Sequence, residues 1–282
     1  MAETLIQYPL GAAGVVTRVL EQGAGPETVV LIHGLGARAD RWRLVLDRLA
    51  RQGYRCLAPD LPGHGLATKG PDVPFSPPAL ADWVVGLLDE LGLASVDLVG
   101  TSLGGHIAAL VAGRVPARIR RLVLMGSLGL VPRPDIIPPI TTSVRQRSRE
   151  AIEAKLLRVF GHPELVTEAF VTEEWRIANS PGAAAALDRY AAYLDEDHPE
   201  DLATAALRDA APELETLLVW GAEDVSVPPE VGRAALEQLP EARLVVIEGA
   251  AHGPYLERPE AVTAVLHEFF SGTLALSRLA HR

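Results

Sequence analysis

A single cysteine, Cys56, stands in 282 residues, so no internal disulfide can staple this chain and its stability has to come from a packed core. The neighbours in Tyr54-Arg55-Cys56-Leu57-Ala58 are mostly apolar, and the thiol reads as a small buried hydrophobe. Basic charge is scarce too: 26 Lys and Arg stand against 36 Asp and Glu, a formal net charge of −10. Without a clustered basic face, binding to nucleic-acid phosphates or to an anionic membrane surface is not expected. The one local exception, Arg145-Gln146-Arg147-Ser148-Arg149, reads as a solvated helix face. Long apolar runs are missing as well; none approaches the roughly 20 residues of a membrane-spanning helix. Met1-Ala2-Glu3-Thr4-Leu5-Ile6-Gln7 lacks the basic start and apolar stretch of a secretory leader, so a cytoplasmic location is expected.

What is present suits a globular protein. Hydrophobic residues make up 48% and charged residues 22%, enough apolar material for a full core, and the length fits one large α/β domain with an insertion. Short β-branched runs alternate with longer amphipathic ones, the pattern of a mostly parallel sheet with helices on both faces. Strands are expected near Val15–Val19, Thr28–Ile32, Arg55–Ala58, Val96–Val99, Arg121–Met125, Thr216–Trp220 and Arg243–Ile247. Helices are expected at Ala39–Gln52, Pro77–Leu91, Leu103–Arg114, Pro229–Gln238 and Pro259–Phe270. The alternation breaks between Ser127 and Ala211, where a Pro-rich start (Val131 to Pro139) precedes helical patterns around Arg149–Phe160, Glu164–Asn179 and Gly182–Leu194. This predicts a core of residues 1–126 and 212–282 and a helical lid of residues 127–211.

Within that framework, Gly100-Thr101-Ser102-Leu103-Gly104-Gly105 lies between a strand pattern and a helix pattern. A strand that turns at once into a helix needs small residues two before and two after the central one, and Gly100 and Gly104 supply them. The turn exposes the Ser102 hydroxyl above the sheet edge, next to the unpaired N–H groups of a helix N-terminus. A serine hydroxyl is a poor nucleophile near neutral pH and needs a base and a group to orient that base. His252, in the loop after the last expected strand, is the best placed of the eight histidines. The acid is expected from the loop after Thr216–Trp220, as Asp224, with Glu223 as the neighbouring alternative. Oxyanion donors are expected in the backbone N–H groups of Leu103 and of Leu35, the latter in His33-Gly34-Leu35-Gly36. Gly34, Trp175 and Tyr190 are assigned as substrate contacts, the last two from an apolar stretch of the lid.

Taken together, His33-Gly34-x-Gly36, Asp60-Leu61-Pro62-Gly63-His64-Gly65, Gly100-x-Ser102-x-Gly104-Gly105, Trp220-Gly221-x-x-Asp224 and Gly249-x-x-His252 resemble the α/β-hydrolase fold superfamily in order and context. The resemblance spans about residues 10–126 and 214–271. It implies an eight-stranded, mostly parallel sheet with a cap inserted after the sixth strand, and a Ser-His-Asp mechanism without metal or organic cofactor. The Asp60–Gly65 loop is given no catalytic role. A serine at the elbow argues against the dehalogenases and epoxide hydrolases of the superfamily, which use aspartate there.

Among the serine members, C–C bond hydrolases of aromatic meta-cleavage products are the nearest competitor. Those enzymes tend to carry Asn where Thr101 stands, Trp where Gly253-Pro254-Tyr255 stand, and a cap arginine beside a tryptophan; that arginine aligns to Glu174 before Trp175, although Arg176 adjoins the tryptophan. The expectation is therefore an ester, thioester or lactone of a small to medium hydrophobic substrate. A non-catalytic ligand-binding member is a third reading, to which an intact Ser102, Asp224 and His252 set is opposed.

Overall fold

The computed structural model describes residues 4–132, 135–196, 198 and 201–275. Arg133 and Pro134 of the Pro-rich stretch, and His281, lie outside the described residues. Eight strands form one sheet: β1 (Ile6–Ala12), β2 (Val15–Gln22), β3 (Glu27–Ile32), β4 (Tyr54–Pro59), β5 (Val96–Thr101), β6 (Ile119–Met125), β7 (Glu215–Gly221) and β8 (Arg243–Ile247). Their spatial order is β1-β2-β4-β3-β5-β6-β7-β8. Pairing is antiparallel from β1 to β2 and from β2 to β4, and parallel from β4 onward. Each parallel step needs a crossover, which is why helices cover both faces.

The strand residues divide between the two faces with period two. Val30, Ile32, Leu98, Leu124 and Leu218 pack on one side with Trp83 and Ile107. Val29, Leu31, Val99, Val123 and Val219 pack on the other with Trp42, Leu46 and Phe269. The first face is covered by α2 (Pro77–Glu90), α3 (Leu103–Arg114) and α9 (Pro229–Gln238), the second by α1 (Arg43–Arg51) and α11 (Pro259–Phe270). Helix α3 is buried from Leu103 to Ala112, which explains why its sequence is apolar almost all round rather than amphipathic.

Between β6 and β7 the described residues contain helices and no strand: α4 (Ile137–Arg145), α5 (Arg149–Val159), α6 (Glu168–Ala178), α7 (Ala183–Asp195) and α8 (Ala203–Ala210). Ile152, Leu156, Phe160 and Val171 build a small core of their own there. The basic stretch runs from the end of α4 to the start of α5, exposed or half-exposed throughout, and its arginines form surface ion pairs: Arg145 with Asp195, Arg147 with Asp188 and Arg149 with Glu168. Strand β1 and helices α4 and α8 have no counterpart in the sequence-based expectation. In β1 six of the seven residues between Ile6 and Ala12 are partly or fully exposed and only Ala12 is buried, and Pro9 is tolerated because the strand lies at the sheet edge. A short helix, α10 (Pro254–Glu257), follows the loop after β8.

Candidate active site

Ser102 sits between β5 and α3 with φ 55° and ψ −122°, a left-handed conformation that a serine adopts only when the surroundings impose it. The constraint is visible in the flanking glycines. A Cβ on Gly100 would lie 2.2 Å from the Gly104 carbonyl oxygen, and one on Gly104 would lie 2.4 Å from the carbonyl oxygens of Ile32 and His33. Strand, turn and helix are thus packed backbone to backbone. The Ser102 N–H donates to the Met125 carbonyl at 2.9 Å, and the Ser102 carbonyl accepts from Gly105, His106 and Leu128. Leu103 is the first residue of α3, so its N–H has no acceptor within the helix.

His252 lies in the loop that leaves β8. Its Nδ1 is 2.7 Å from Asp224 Oδ2, and Asp224, 3% exposed, stands in the loop that leaves β7. The other oxygen of Asp224 accepts from the N–H groups of Ser226 at 2.8 Å and Val227 at 2.9 Å, which fixes the carboxylate plane. Burial by itself lowers the basicity of the His252 imidazole, but the charge and hydrogen bond of Asp224 outweigh it and the pKa is raised above the ordinary histidine value. Glu223, the alternative acid, points elsewhere: its Oε2 lies 3.5 Å from where a Cβ on Gly161 would stand.

Ser102 and His252 line one small cavity of about 60 Å³ together with Gly34, Leu35, Gly36, Arg41, Thr101, Lys155, Leu156, Val159, Phe160 and Tyr255. Two loops and α5 therefore meet over the serine. The loop carrying Leu35 is held by His33, whose Nδ1 donates to the Gly34 carbonyl at 2.8 Å while its Nε2 accepts the Leu61 N–H at 2.9 Å. That use of both nitrogens requires a neutral ring, and burial lowers its pKa accordingly. A larger cavity, about 200 Å³, is lined by His106, Leu128, Ile136, Tyr193 and Leu202 among others; Ser102, Asp224 and His252 are not among its walls.

The structure brings Gly34, Leu35, Ser102, Leu103, Asp224 and His252 to one sheet edge, but it does not bring Trp175 or Tyr190 there. Trp175 is 37% exposed on α6. Tyr190 is buried with its hydroxyl donating to the carbonyls of Pro62 at 2.7 Å and Pro74 at 3.1 Å, and its ring stacks edge-on against His64. The helical segment reaches the serine through α5 and Phe160 instead. His106 is buried with Nε2 2.6 Å from the Asp201 carbonyl oxygen, a structural contact.

Sequence reasoning did not single out the two cations at the cavity. Among the described residues Lys155 is held by one long contact of 3.4 Å to the Gly36 carbonyl, and burial lowers the pKa of its ammonium against the opposing pull of Glu174. Arg41 pairs with Glu174 at 2.9 Å through Nη2, while its Nη1 is buried without a hydrogen-bond partner among the described residues. Glu174 also binds Arg38, so a carboxylate on α6 and two arginines beside the His33–Gly36 loop form one buried cluster. Only the pairing of Lys155 with Arg158 three residues on, along one face of α5, could have hinted at it, and that pattern is shared by solvated helices. Among the described residues no cluster of side chains suited to a metal ion is present, and no helix is long and apolar enough to cross a membrane.

Comparison with known proteins agrees with this fold. The 2-hydroxymuconate semialdehyde hydrolase of Pseudomonas sp. strain CF600 is 30% identical over 268 residues, covering 92% of this chain and 92% of that protein. A meta-cleavage product hydrolase from Pseudomonas fluorescens IP01 superposes with a TM-score of 0.82 at 25% identity, over 94% of this chain and 97% of that one. A thermophilic esterase from Thermogutta terrifontis gives a TM-score of 0.75 at 25% identity, over 96% of this chain and all of its own, 100%. The family model described as the alpha/beta hydrolase fold matches residues 27–259, and the chain belongs to that family.

Proposed function

We propose that this protein is a serine hydrolase that cleaves a carboxylic ester, or a thioester or lactone, of a small to medium hydrophobic substrate. The observation that carries the reading is the strained Ser102 sharing a cavity with His252, whose far nitrogen is tied to Asp224. In this reading His252 Nε2 takes the Ser102 proton as Oγ attacks the carbonyl carbon, and Asp224 stabilises the imidazolium that results. The N–H groups of Leu103 and Leu35 receive the oxyanion. Collapse of the tetrahedral intermediate expels the alcohol, which takes the proton from His252; water activated by the same base then releases the acid from the acyl-serine. No step calls for a metal or an organic cofactor.

Residues 127–211 act in this reading as a cap. Lys155, Leu156, Val159 and Phe160 form its inner wall, so selection among acyl groups runs through α5 rather than through Trp175 or Tyr190. The test is hydrolysis of a p-nitrophenyl ester series by the wild type and by Ser102→Ala. Ser102→Ala is expected to lose on the order of 10⁴-fold or more while remaining folded; retention of a tenth of the activity would sink the assignment.

A second reading, C–C bond hydrolysis of a carboxylate-bearing dienone, is favoured by the relatives named above and by the two cations at the cavity, buried Arg41 and half-buried Lys155. Thr101, Gly253-Pro254-Tyr255 and Glu174 weigh against it. Turnover of 2-hydroxymuconate semialdehyde beside p-nitrophenyl butyrate decides between the two. Lys155→Met sharpens the comparison: it should raise KM for a carboxylate substrate at least about tenfold and leave a neutral ester nearly unchanged, as loss of a charge-assisted contact predicts.

A further inference from the structure

A second set of contacts joins the His252 loop to the helices between β6 and β7, and the hydrolytic steps above do not use it. Glu257, the last residue of α10, is 6% exposed, and among the described residues its carboxylate has no cation partner; it is met by amides. Its Oε1 accepts from the Gly161 N–H at 2.7 Å and the Ala251 N–H at 3.2 Å, and its Oε2 accepts from the Ala251 and Gly253 N–H groups at 3.0 Å each. The amides on both sides of His252 therefore end on one carboxylate, and the third donor comes from just beyond the end of α5. The His252 N–H itself donates to the Val159 carbonyl at 3.1 Å. Packing closes the same joint: a Cβ on Gly253 would lie 2.2 Å from Cε1 of Phe160.

A carboxylate this deeply covered would be costly without donors, and three N–H groups satisfy it in an arrangement that requires the 251–253 and 159–161 backbones to be in place together. We propose that Glu257 is a positioning residue for His252, holding the 251–253 loop against the end of α5 so that the imidazole keeps its place in the Ser102 cavity while the helical segment is docked. The inference rests on the serine-hydrolase reading, since it assigns His252 the role of base.

The electrostatics run the same way. His252 is faced by Asp224 from the loop after β7, by Arg158 and Lys155 from α5, by Arg41 from the loop after β3, and by Tyr255 and Glu257 from α10. After burial and the contacts of Asp224 comes the charge of Arg158, which lowers the imidazole's pKa, and then that of Glu257, which raises it.

The experiment uses Glu257→Gln and Glu257→Asp in the full chain. Glu257→Gln should lower kcat about tenfold with KM for a short p-nitrophenyl ester little changed, as small misplacements of a reacting group do. It should also move the acid limb of the pH profile to lower pH, because a negative charge has been removed. Glu257→Asp keeps the charge and loses the reach, so kcat should fall with the acid limb in place. A folded Glu257→Gln protein with wild-type kcat and an unmoved limb would overturn the proposal.

Histidine-selective NMR titration, with His252 assigned by comparison with His252→Gln, reads the same shift without any turnover. A titration shift in an enzyme that hydrolyses nothing would thus uphold the joint and sink the functional reading, and an unshifted titration would sink the joint alone. If Glu257→Gln does not fold, amide exchange in the wild type still tests the idea. Gly161, Ala251 and Gly253 should lose protection together if one carboxylate holds all three, and three unrelated exchange rates would overturn it.

Discussion

A Cβ built on Gly34 would lie 3.0 Å from the Cβ of Ser102 and 3.5 Å from its Oγ. The backbone of the loop after β3 therefore runs directly against the serine, with no room between them for a side chain. Gly34→Ala should push that loop back by a few tenths of an ångström and displace the Leu35 N–H from the position proposed for the oxyanion. The expected loss in kcat/KM is about 10- to 100-fold, the scale seen when a reacting group is misplaced. Thermal unfolding of the variant checks that the fold survives; full activity in a stable Gly34→Ala protein would remove Leu35 from the site.

The strain at Ser102 can be measured by substitution. With φ 55° and ψ −122° the residue occupies a region that costs a non-glycine residue about 1–3 kcal/mol. Ser102→Gly relieves that cost and Ser102→Ala does not, although both remove the hydroxyl. Ser102→Gly should therefore be the more stable of the two inactive proteins, by about 1 kcal/mol or more in urea unfolding. Equal stabilities would mean that the elbow is not strained.

The acid limb of the rate profile follows from His252. Only the neutral imidazole can accept the Ser102 proton, and its pKa is raised because Asp224's charge and hydrogen bond overcome burial. Activity should consequently begin to fall at a pH above the ordinary histidine value of about 6.5, and keep falling as the medium becomes more acid. Stability runs the opposite way: a raised folded-state pKa makes the His252–Asp224 pair most stabilising below the unfolded histidine value, with that contribution lost as pH rises through the folded one. A kcat/KM profile with its acid midpoint well below about 6 would contradict the pairing.

Tyr190 provides a control. Its hydroxyl donates to the Pro62 and Pro74 carbonyls, away from the Ser102 cavity. Tyr190→Phe should cost about 1 kcal/mol of stability, the usual net worth of a buried hydrogen bond, and leave the ranking of ester chain lengths as in the wild type. Phe160→Ala, which opens the cavity wall, should change that ranking.

The contrast between Tyr190 and Ser102 marks what could be read from the chain itself. The elbow was legible because its requirement is local: two glycines, a strand and a helix within a few residues of sequence. Helix α3 was bounded at Leu103 and Arg114 for the same reason. His252 and Asp224 were legible from topology, since loops leaving the carboxyl ends of parallel strands share an edge. Tyr190 was assigned to the pocket on residue type alone, and which way a buried aromatic faces depends on the Pro62–Pro74 backbone more than a hundred residues away. Lys155 and Glu257 were invisible for a related cause. A cation on a helix and a carboxylate before Arg258-Pro259 look ordinary until the fold sets them against Gly36 and against the amides beside His252.

Cys56 lies in the middle of β4, paired with Gln22 on one side and Val29 on the other, and it is wholly covered. Burial raises its thiol pKa well above the ordinary value, so almost no thiolate forms at neutral pH. A thiol reagent can reach it only after the central sheet has come apart. Because there is no second cysteine, the slow uptake of one label per chain in native buffer counts excursions to the open sheet, a clock for unfolding that the protein carries at its own centre.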